Sequence, residues 1–329
     1  MPITVGIPRA LLYHDFGELW HSFFSHLAVP VIVSEETNKR LLDRGTTLAV
    51  DESCLPLKLY LGHAESLLGR CDRLFVPRIV QHHQGFHFCA KFAGLPDIVR
   101  NTFHLPESKL ISPVIQTGAR SEILKAAAAA ARSAGKTPWS GWRSYRSAYT
   151  AWAQARDREV PSGNAFTPRI AVIGHSYLLK DRFLCGDIFA VLKANSVTPV
   201  TDDEVPRRRL YQEAGHFAPD IYWQMAAKLA GSARYFAHHP AIAGLILVSS
   251  FGCGLDSLSL EYIEQQILGS CGKPYIVLNL DEHTGRTGII TRVEAFWDLV
   301  KWRRKLESNL PAYGLSQRPH PLYDGELEY

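Results

Sequence analysis

The first third of the chain alternates short apolar runs with amphipathic segments of helical period. The apolar runs predict strands at residues 3–7, 29–33, 47–50 and 74–80, and the amphipathic segments predict helices at 16–27 and 55–68. Strands and helices that alternate in this order form βαβ units, in which helices cover a parallel sheet. The pattern therefore predicts an α/β domain of the doubly wound, Rossmann-like class.

A different pattern separates this part from the second half of the chain. An Ala-rich helix is predicted at 121–134, and a second helical stretch follows a break containing Pro and Gly at 136–141. Polar and Pro-rich residues at 160–168 then precede a new strand at 170–173. We expect an N-terminal α/β domain at 1–118, a helical connecting segment at 119–160, a C-terminal α/β domain at 161–303 and a tail at 304–329.

The second half repeats the order of elements in the first. Gly6 follows the first strand and Gly174 follows the strand at 170–173, an offset of 168 residues (174 − 6). Further along, the predicted strand at 47–50 leads to Cys54, and an apolar run at 245–248 leads to Cys253. We expect two duplicated Rossmann-like domains, with Cys54 and Cys253 at equivalent strand ends that face each other across the seam.

Composition limits the classes of function. Hydrophobic residues make up 46% and charged residues 21% of the chain, as in globular proteins, and no apolar run approaches the ~20 residues of a membrane span. The net charge of +4 comes without a basic stripe, so neither nucleic acid nor a membrane is an expected partner. The chain opens without a signal sequence, and its six cysteines are too sparse for a disulfide scaffold, which predicts a cytoplasmic protein with free thiols.

Three of the cysteines lie directly before predicted helices. At Cys54, Cys89 and Cys253, unpaired N–H groups and the helix dipole would stabilise a thiolate, and Gly252 and Gly254 leave room for a cofactor. A buried cysteine is also an ordinary core residue, so spacing alone leaves both interpretations open. The other cysteines lie at helix ends or inside a helix and are predicted to be structural; they are Cys71, Cys185 and Cys271.

Two further groups of polar residues suggest other chemistry. His82, His83, His87 and Cys89 share one loop and would suit a zinc ion, so a zinc-dependent hydrolase is the alternative from a different class. At the end of a predicted strand, Asp281 and His283 are candidates for proton transfer. Asp281 and Thr284 would equally well cap a helix, and both interpretations stay open.

Polar residues also follow the first strand of each domain. Arg9, Tyr13, His175, Tyr177 and Asp181 are predicted to line one cleft from both sides, and Arg9 and His175 are further candidates for catalysis. In contrast, an apolar helical pattern places Trp223 and Met225 in the core of a helix.

Five motifs spread over the chain form a set. They are Gly6-Ile-Pro-Arg-Ala-Leu-Leu-Tyr13, Val50-Asp-Glu-Ser-Cys-Leu-Pro-Leu-Lys58, Cys89-Ala-Lys-Phe-Ala-Gly-Leu-Pro-Asp97, Phe251-Gly-Cys-Gly-Leu-Asp-Ser257 and Asp281-Glu-His-Thr-Gly285. The set resembles the activase-related branch of the 2-hydroxyacyl-CoA dehydratase superfamily, whose members include benzoyl-CoA reductase subunits and double-cubane cluster proteins. The resemblance runs from residue 3 to about residue 300 and implies a cubane cluster between two Rossmann-like domains.

The resemblance also implies a function. It implies that Cys54, Cys89 and Cys253 hold one 4Fe-4S cluster, with Ser53, Gly252 and Gly254 beside it and one iron open to an outside ligand. An ATP-dependent activase would donate electrons for low-potential, one-electron chemistry in anaerobic metabolism, as in a reductase or dehydratase component. The sequence does not identify the small-molecule substrate, and a double cubane would need more cysteines.

Two alternatives remain within iron-sulfur chemistry and assembly. A non-catalytic iron-sulfur carrier or a cluster-assembly factor would use the same ligands as an enzyme. A homodimer, or a pairing with a related subunit, is the expected assembly.

Overall fold

The computed structural model describes residues 3–83, 86–116, 120–156, 167–217 and 221–309. The strands of this part are β1 (Val5–Ile7), β2 (Val31–Val33), β3 (Arg73–Phe75), β4 (Arg78–His83), β5 (Phe86–His87), β6 (Leu110–Ile111), β7 (Val114–Gln116), β8 (Arg169–Gly174), β9 (Thr198–Val200), β10 (Ile242–Ser250) and β11 (Tyr275–Leu280).

The helices of the described ranges alternate with these strands and also form the connecting segment. They are α1 (Tyr13–His26), α2 (Lys39–Leu48), α3 (Leu55–Glu65), α4 (Ala90–Ala93), α5 (Leu95–Thr102), α6 (Arg120–Ser133), α7 (Pro138–Arg156), α8 (Ser176–Leu179), α9 (Arg182–Ala194), α10 (Arg207–Ala214), α11 (Gln224–His238), α12 (Gly254–Ile263) and α13 (Arg286–Asn309). Short 3-10 helices lie at Glu107–Lys109 and Asp202–Glu204, and a π-helical turn at Glu264–Leu268 follows α12.

Two four-stranded parallel sheets form the centre of the fold. Their strand orders are β2-β1-β3-β6 and β9-β8-β10-β11, so both sheets place their strands in the same order relative to the chain. Val5 lies opposite Val31 in the first sheet, and Arg169 lies opposite Thr198 in the second. The predicted α/β class, with parallel sheets flanked by helices, is confirmed, and the shared strand order supports the predicted duplication.

The apolar run at 74–80 forms two strands and not one. β3 ends at Phe75, whereas β4 begins at Arg78 in a separate sheet of order β5-β4-β7. Pro77 lies between them and has no N–H to donate to a ladder, so the first sheet ends before it. The Arg78 N–H donates instead to the Pro113 carbonyl oxygen at 3.0 Å.

The predicted strand at 47–50 is wrong. Thr47 belongs to α2, which begins after Asn38, whose side chain accepts the Leu41 N–H at 3.1 Å. Leu41, Leu42 and Gly45 form the buried face of this helix. Their helical spacing outweighs the β propensity of the threonines, and Cys54 therefore follows a helix and not a strand.

The connecting helices pack against the N-terminal domain. The Trp152 ring of α7 lies 5.5 Å from the Phe16 ring of α1, and its Nε1 donates to the Asp15 carbonyl oxygen at 3.3 Å. α7 begins at Pro138, so the predicted break at 136–141 is shorter than expected. α13 continues past residue 303 to Asn309, and the rest of the predicted tail lies outside the described residues.

An apolar core runs between the two sheets. It contains buried residues of both, among them Ile7, Val172 and Ile246, while Ile173 and Leu245 belong to a second core on the other face of the C-terminal sheet. In the described ranges, none of the helices combines the length and the apolar character that crossing a bilayer requires. The shared core brings the carboxyl ends of the two sheets to one seam, where the candidate site lies.

Candidate metal centre

Cys54, Cys89 and Cys253 line one pocket of about 370 Å³ at the seam of the two sheets. Each is the residue directly before a helix: Cys54 precedes α3, Cys89 precedes α4 and Cys253 precedes α12. Their backbones are extended, with ψ of 147°, 156° and 99° respectively, as is usual for an N-cap. The N–H groups of a first helical turn therefore lie beside all three thiols.

Burial dominates the acid-base behaviour of two of these thiols. It raises the pKa of Cys89, although the N–H groups of Phe92 and Lys91 donate to its sulfur. It also raises the pKa of Cys253 to about 12, with the Asp256 carboxylate acting in the same direction. Both groups are therefore neutral thiols at neutral pH, and a metal cation in the pocket would displace their protons.

The loops that carry Cys54 and Cys253 touch across the seam. The Leu55 N–H donates to the Phe251 carbonyl oxygen at 3.4 Å. Gly252 has a φ of +75°, and a Cβ at this position would lie 3.2 Å from the Cα of Cys54. A glycine is needed here both for the backbone conformation and for the close approach, whereas a Cβ on Gly254 would meet nothing within 4 Å.

A fourth helix N-terminus forms the remaining wall of the pocket. Trp223 directly precedes α11, has an extended backbone (φ −92°, ψ 126°) and lines the pocket with the cysteines. His87 pairs with Trp223 in a parallel bridge, and its N–H donates to the Tyr222 carbonyl oxygen at 3.2 Å. The prediction that Trp223 lies in the core of a helix is therefore wrong.

The internal repeat places Trp223 at the position equivalent to Cys54. Gly62 follows Cys54 by eight residues (62 − 54), and Gly231 follows Trp223 by eight (231 − 223). A Cβ on Gly62 would collide with the Leu41 carbonyl oxygen of α2, and a Cβ on Gly231 would collide with the Leu210 carbonyl oxygen of α10. Each glycine thus marks the same kind of helix crossing in its own domain.

Cys89 and Cys253 form the other equivalent pair. Each precedes a helix that comes, in chain order, between the third and fourth strands of its sheet. These strands are β3 and β6 in one domain and β10 and β11 in the other. The predicted equivalence of Cys54 with Cys253 is therefore wrong, because it depended on a strand at 47–50 that does not form. Gly62 and Gly231 each follow the N-cap residue of their helix by eight positions. This equal spacing is the sequence signal that would have identified Trp223 as the equivalent of Cys54.

His175 and Arg9, which were predicted to be catalytic, lie outside the pocket lining. His175 is buried behind Cys253, where its Nε2 lies 2.6 Å from Asp256 Oδ1. The Arg9 N–H donates to Ser34 Oγ at 2.7 Å, and its side chain lies 3.5 Å from Glu36 Oε1. Of the cleft residues predicted with them, the structure brings Tyr177 to the cysteine pocket.

Asp281 and His283 line a different pocket, also of about 370 Å³. Asp281 Oδ1 accepts the His283 N–H at 2.8 Å and the Thr284 hydroxyl at 2.7 Å, which is the hydrogen bonding of a capping turn. The neighbouring Glu282 pairs with the buried Lys58 of α3 at 2.5 Å. This loop therefore contacts the helix that Cys54 begins, but its two candidate residues do not share the cysteine pocket.

The zinc alternative depends partly on side chains outside the described part of the structure, namely those of His82 and His83. The His87 ring stacks on the Tyr222 ring, with centroids 4.6 Å apart and an interplanar angle of 8°. Among the described residues, no three His, Cys, Asp or Glu side chains converge closely enough to hold one metal ion. The described geometry gives the zinc hypothesis no support.

The remaining cysteines and Ser53 are outside the pocket lining. Cys185 is fully buried in α9, where burial raises its pKa, and the sulfurs of Cys71 and Cys271 each donate to a carbonyl oxygen of the preceding helical turn at 3.4 Å. The Ser53 N–H donates to the Val50 carbonyl oxygen at 2.9 Å in the loop before Cys54. Their predicted roles stay predictions.

Comparison with known proteins places the chain in a family. No curated protein matches it. A crystal structure of a candidate Asp/Glu racemase from Yersinia pestis is 13% identical over 92% of this chain and 100% of its own, with a TM-score of 0.23, which is too low to carry an argument. The family described as the CoA enzyme activase uncharacterised domain matches residues 4–205, a range that includes Cys54 and Cys89. Because this match covers more than half of the chain, the protein belongs to the CoA enzyme activase uncharacterised domain family.

Proposed function

We propose that this protein holds a 4Fe-4S cluster on Cys54, Cys89 and Cys253 for low-potential, one-electron chemistry, with an ATP-dependent activase as its electron donor. The observation that carries the proposal is the convergence of three thiols, each at a helix N-terminus, on one pocket at the domain seam. Membership of an activase-related family supports the link to CoA enzymes at a coarser level.

The donor set has the chemistry that a cluster requires, because cysteine thiolates hold cubane iron and the three cysteines line one pocket. Among the described residues, no group of three donors is close enough to hold a single metal ion. Lys91 also lines the pocket and supplies a cation that would offset the negative charge of the thiolates.

The chain's own residues would hold and shield the group. Cys54 and Cys89 come from one domain and Cys253 from the other, so binding requires both domains in the observed arrangement. Tyr177 is buried in the pocket wall, with its ring 6.4 Å from the Phe92 ring, and excludes water from that side. When bound, a 4Fe-4S cluster would supply one electron at low potential, within a range that surroundings of this kind tune.

Anaerobic purification followed by iron, sulfide and zinc analysis tests the proposal. We expect about four irons with matching sulfide per chain, and an electron paramagnetic resonance signal after reduction. Zinc without iron would contradict the proposal. About eight irons would instead indicate a double cubane and would require further cysteine ligands.

Single substitutions test the ligands. Cys54→Ala, Cys89→Ala and Cys253→Ala should each abolish stable cluster binding, because a group held by three thiolates has no spare protein donor. Cys271→Ala is the matched control, since Cys271 is also half-buried but lies outside the pocket. Full iron content in Cys89→Ala would refute the ligand assignment.

The carrier and assembly-factor alternatives use the same three ligands. They differ from an enzyme in whether a small molecule binds beside the cluster. An assay of the chemical conversion of candidate small molecules by the reduced protein separates them, because a carrier would hold the same cluster without turnover.

A further inference from the structure

Four equivalent positions surround the pocket, two from each domain. Cys54 and Trp223 form one equivalent pair, and Cys89 and Cys253 form the other. Each contact across the seam joins one member of each pair. The loop of Cys253 touches that of Cys54, and the loop of Cys89 touches that of Trp223. The pocket is therefore a four-position site in which one position carries an indole.

An indole at this position has a defined chemical effect. Trp offers an N–H donor and no lone pair for a metal, so it cannot act as a ligand. Its large apolar face instead forms a wall of the pocket. A fully protein-held 4Fe-4S cluster uses four cysteines, and the position from which a fourth would come is occupied by Trp223.

We infer that Trp223 is a specificity-determining residue, which keeps one coordination position open and selects the outside ligand that reaches it. The inference rests on the proposed cluster. A carboxylate or an imidazole could also ligate iron, but Asp281 and His283 line a separate pocket and leave the fourth position to an outside ligand. The Trp223 face and the Lys91 cation, both in the lining, favour a small ligand with an apolar body and an anionic donor atom.

The four-position arrangement can be tested without any metal. In a metal-free background with Cys54→Ser and Cys253→Ser, Trp223→Cys would leave one new thiol opposite Cys89. Dibromobimane becomes fluorescent when it bridges two nearby thiols, so we expect fluorescence in this variant. The same background with Trp223 intact is the control and should stay dark.

The second test uses the loaded protein with all three cysteines in place. Cyanide or thiophenolate should shift the resonance spectrum of the reduced wild type and of Trp223→Phe. In Trp223→Cys a fourth thiolate should abolish the shift and slow iron loss to a chelator by roughly tenfold. Trp223→Ala, which removes the apolar face and adds no ligand, should bind thiophenolate more weakly than the wild type but leave the response to cyanide unchanged.

The outcomes distinguish this inference from the proposed function. A loaded Trp223→Cys protein that responds to cyanide like the wild type would overturn the inference. The absence of dibromobimane fluorescence in the Trp223→Cys variant, with a normal cluster content in the wild type, would overturn it as well. If Trp223→Cys does not fold, equal thiophenolate affinity in Trp223→Ala and the wild type would overturn it. Cross-linking without cluster binding in any variant would instead overturn the proposed function and, with it, the role of Trp223 toward a ligand.

Discussion

His175 Nε2 and Asp256 Oδ1 lie 2.6 Å apart in a buried pair that joins the start of α8 to the first turn of α12. Asp256 Oδ2 also accepts the Ser250 N–H at 3.2 Å, and the Asp256 N–H donates to the sulfur of Cys253. The pair therefore fixes the turn that presents Cys253. His175 acts on the pocket through this turn and does not line it.

Asp256→Ala should destabilise the metal-free protein by about 3 kcal/mol, because it leaves His175 buried without its partner. Equilibrium urea unfolding measures this loss. Asp43→Ala is the control, since its pair with Lys39 is exposed at the surface and should contribute no more than about 0.5 kcal/mol. Similar losses in the two variants would show that the buried pair has no special structural role.

His63 should make the protein sensitive to mild acid. It is fully buried between Ser34 Oγ and Thr37 Oγ1, at 2.9 and 3.0 Å. Burial, with smaller contributions from the charges of His14 and Arg9, lowers its pKa from 6.5 to about 3. The unfolded chain takes up this proton first, so the free energy of unfolding should fall as the pH drops from 6.5 toward 3.

The expected slope from His63 is up to about 1.4 kcal/mol per pH unit over that window. Between about pH 6.5 and about pH 5 the wild type should lose roughly 2 kcal/mol more than His63→Gln, measured by urea unfolding at each pH. Parallel pH profiles for the two proteins would mean that His63 is accessible to protons in the folded state.

Gly252→Ala should disturb the contact between the loops of Cys54 and Cys253. The cost combines a strained positive φ with a Cβ 3.2 Å from the Cys54 Cα, and we expect about 2 kcal/mol or more. Gly69→Ala isolates the strain, because Gly69 has a φ of +76° and open space around it, and should cost about 1 kcal/mol. Gly254→Ala should be nearly neutral; a ranking of the three by thermal unfolding in any other order would contradict this account.

The buried Lys58 and Glu282 should couple strongly across the seam. Their ion pair of 2.5 Å joins α3 to the loop after β11, with Lys58 almost fully buried. A double-mutant cycle with Lys58→Met and Glu282→Gln should give a coupling energy of about 1 to 3 kcal/mol in urea unfolding. The same cycle on the exposed Lys301 and Asp298 pair provides the comparison, and equal coupling in both would count against the seam contact.

Much of the fold could be predicted from residue periodicity. The alternation of strands and helices identified both parallel sheets, and the cysteines before helices were correctly located as N-caps. Periodicity failed at 47–50, where an apolar run suggested a strand although its first two residues end a helix, and at Pro77, where one apolar run divides between two sheets. At the first place the helical spacing of buried residues outweighed the apolar run, and at the second the missing N–H of a proline ended the ladder.

The site could be predicted only in part. A family resemblance singled out Cys54, Cys89 and Cys253, and the structure brings them to one pocket. Trp223 was not predicted to line the pocket, because its apolar neighbours fit an ordinary buried helix. Its equivalence to Cys54 becomes visible only when Gly62 and Gly231 are known to lie at helix crossings. The separation of Asp281 from the pocket depends on how loops fold at the sheet edge, which residue spacing does not specify.

The close helix crossings at Gly62 and Gly231 also divide the four positions around the cysteine pocket into fixed and adjustable ones. Backbone meets backbone at Gly62 and Gly231, so neither α3 nor α11 can slide along its partner helix, and Cys54 and Trp223 are held rigidly. Cys253 is held by the buried pair of His175 and Asp256, whereas Cys89 precedes a helix of 4 residues. Accommodation of ligands of different size should therefore occur by small movements at Cys89, and amide hydrogen exchange should be faster there than at the other three positions.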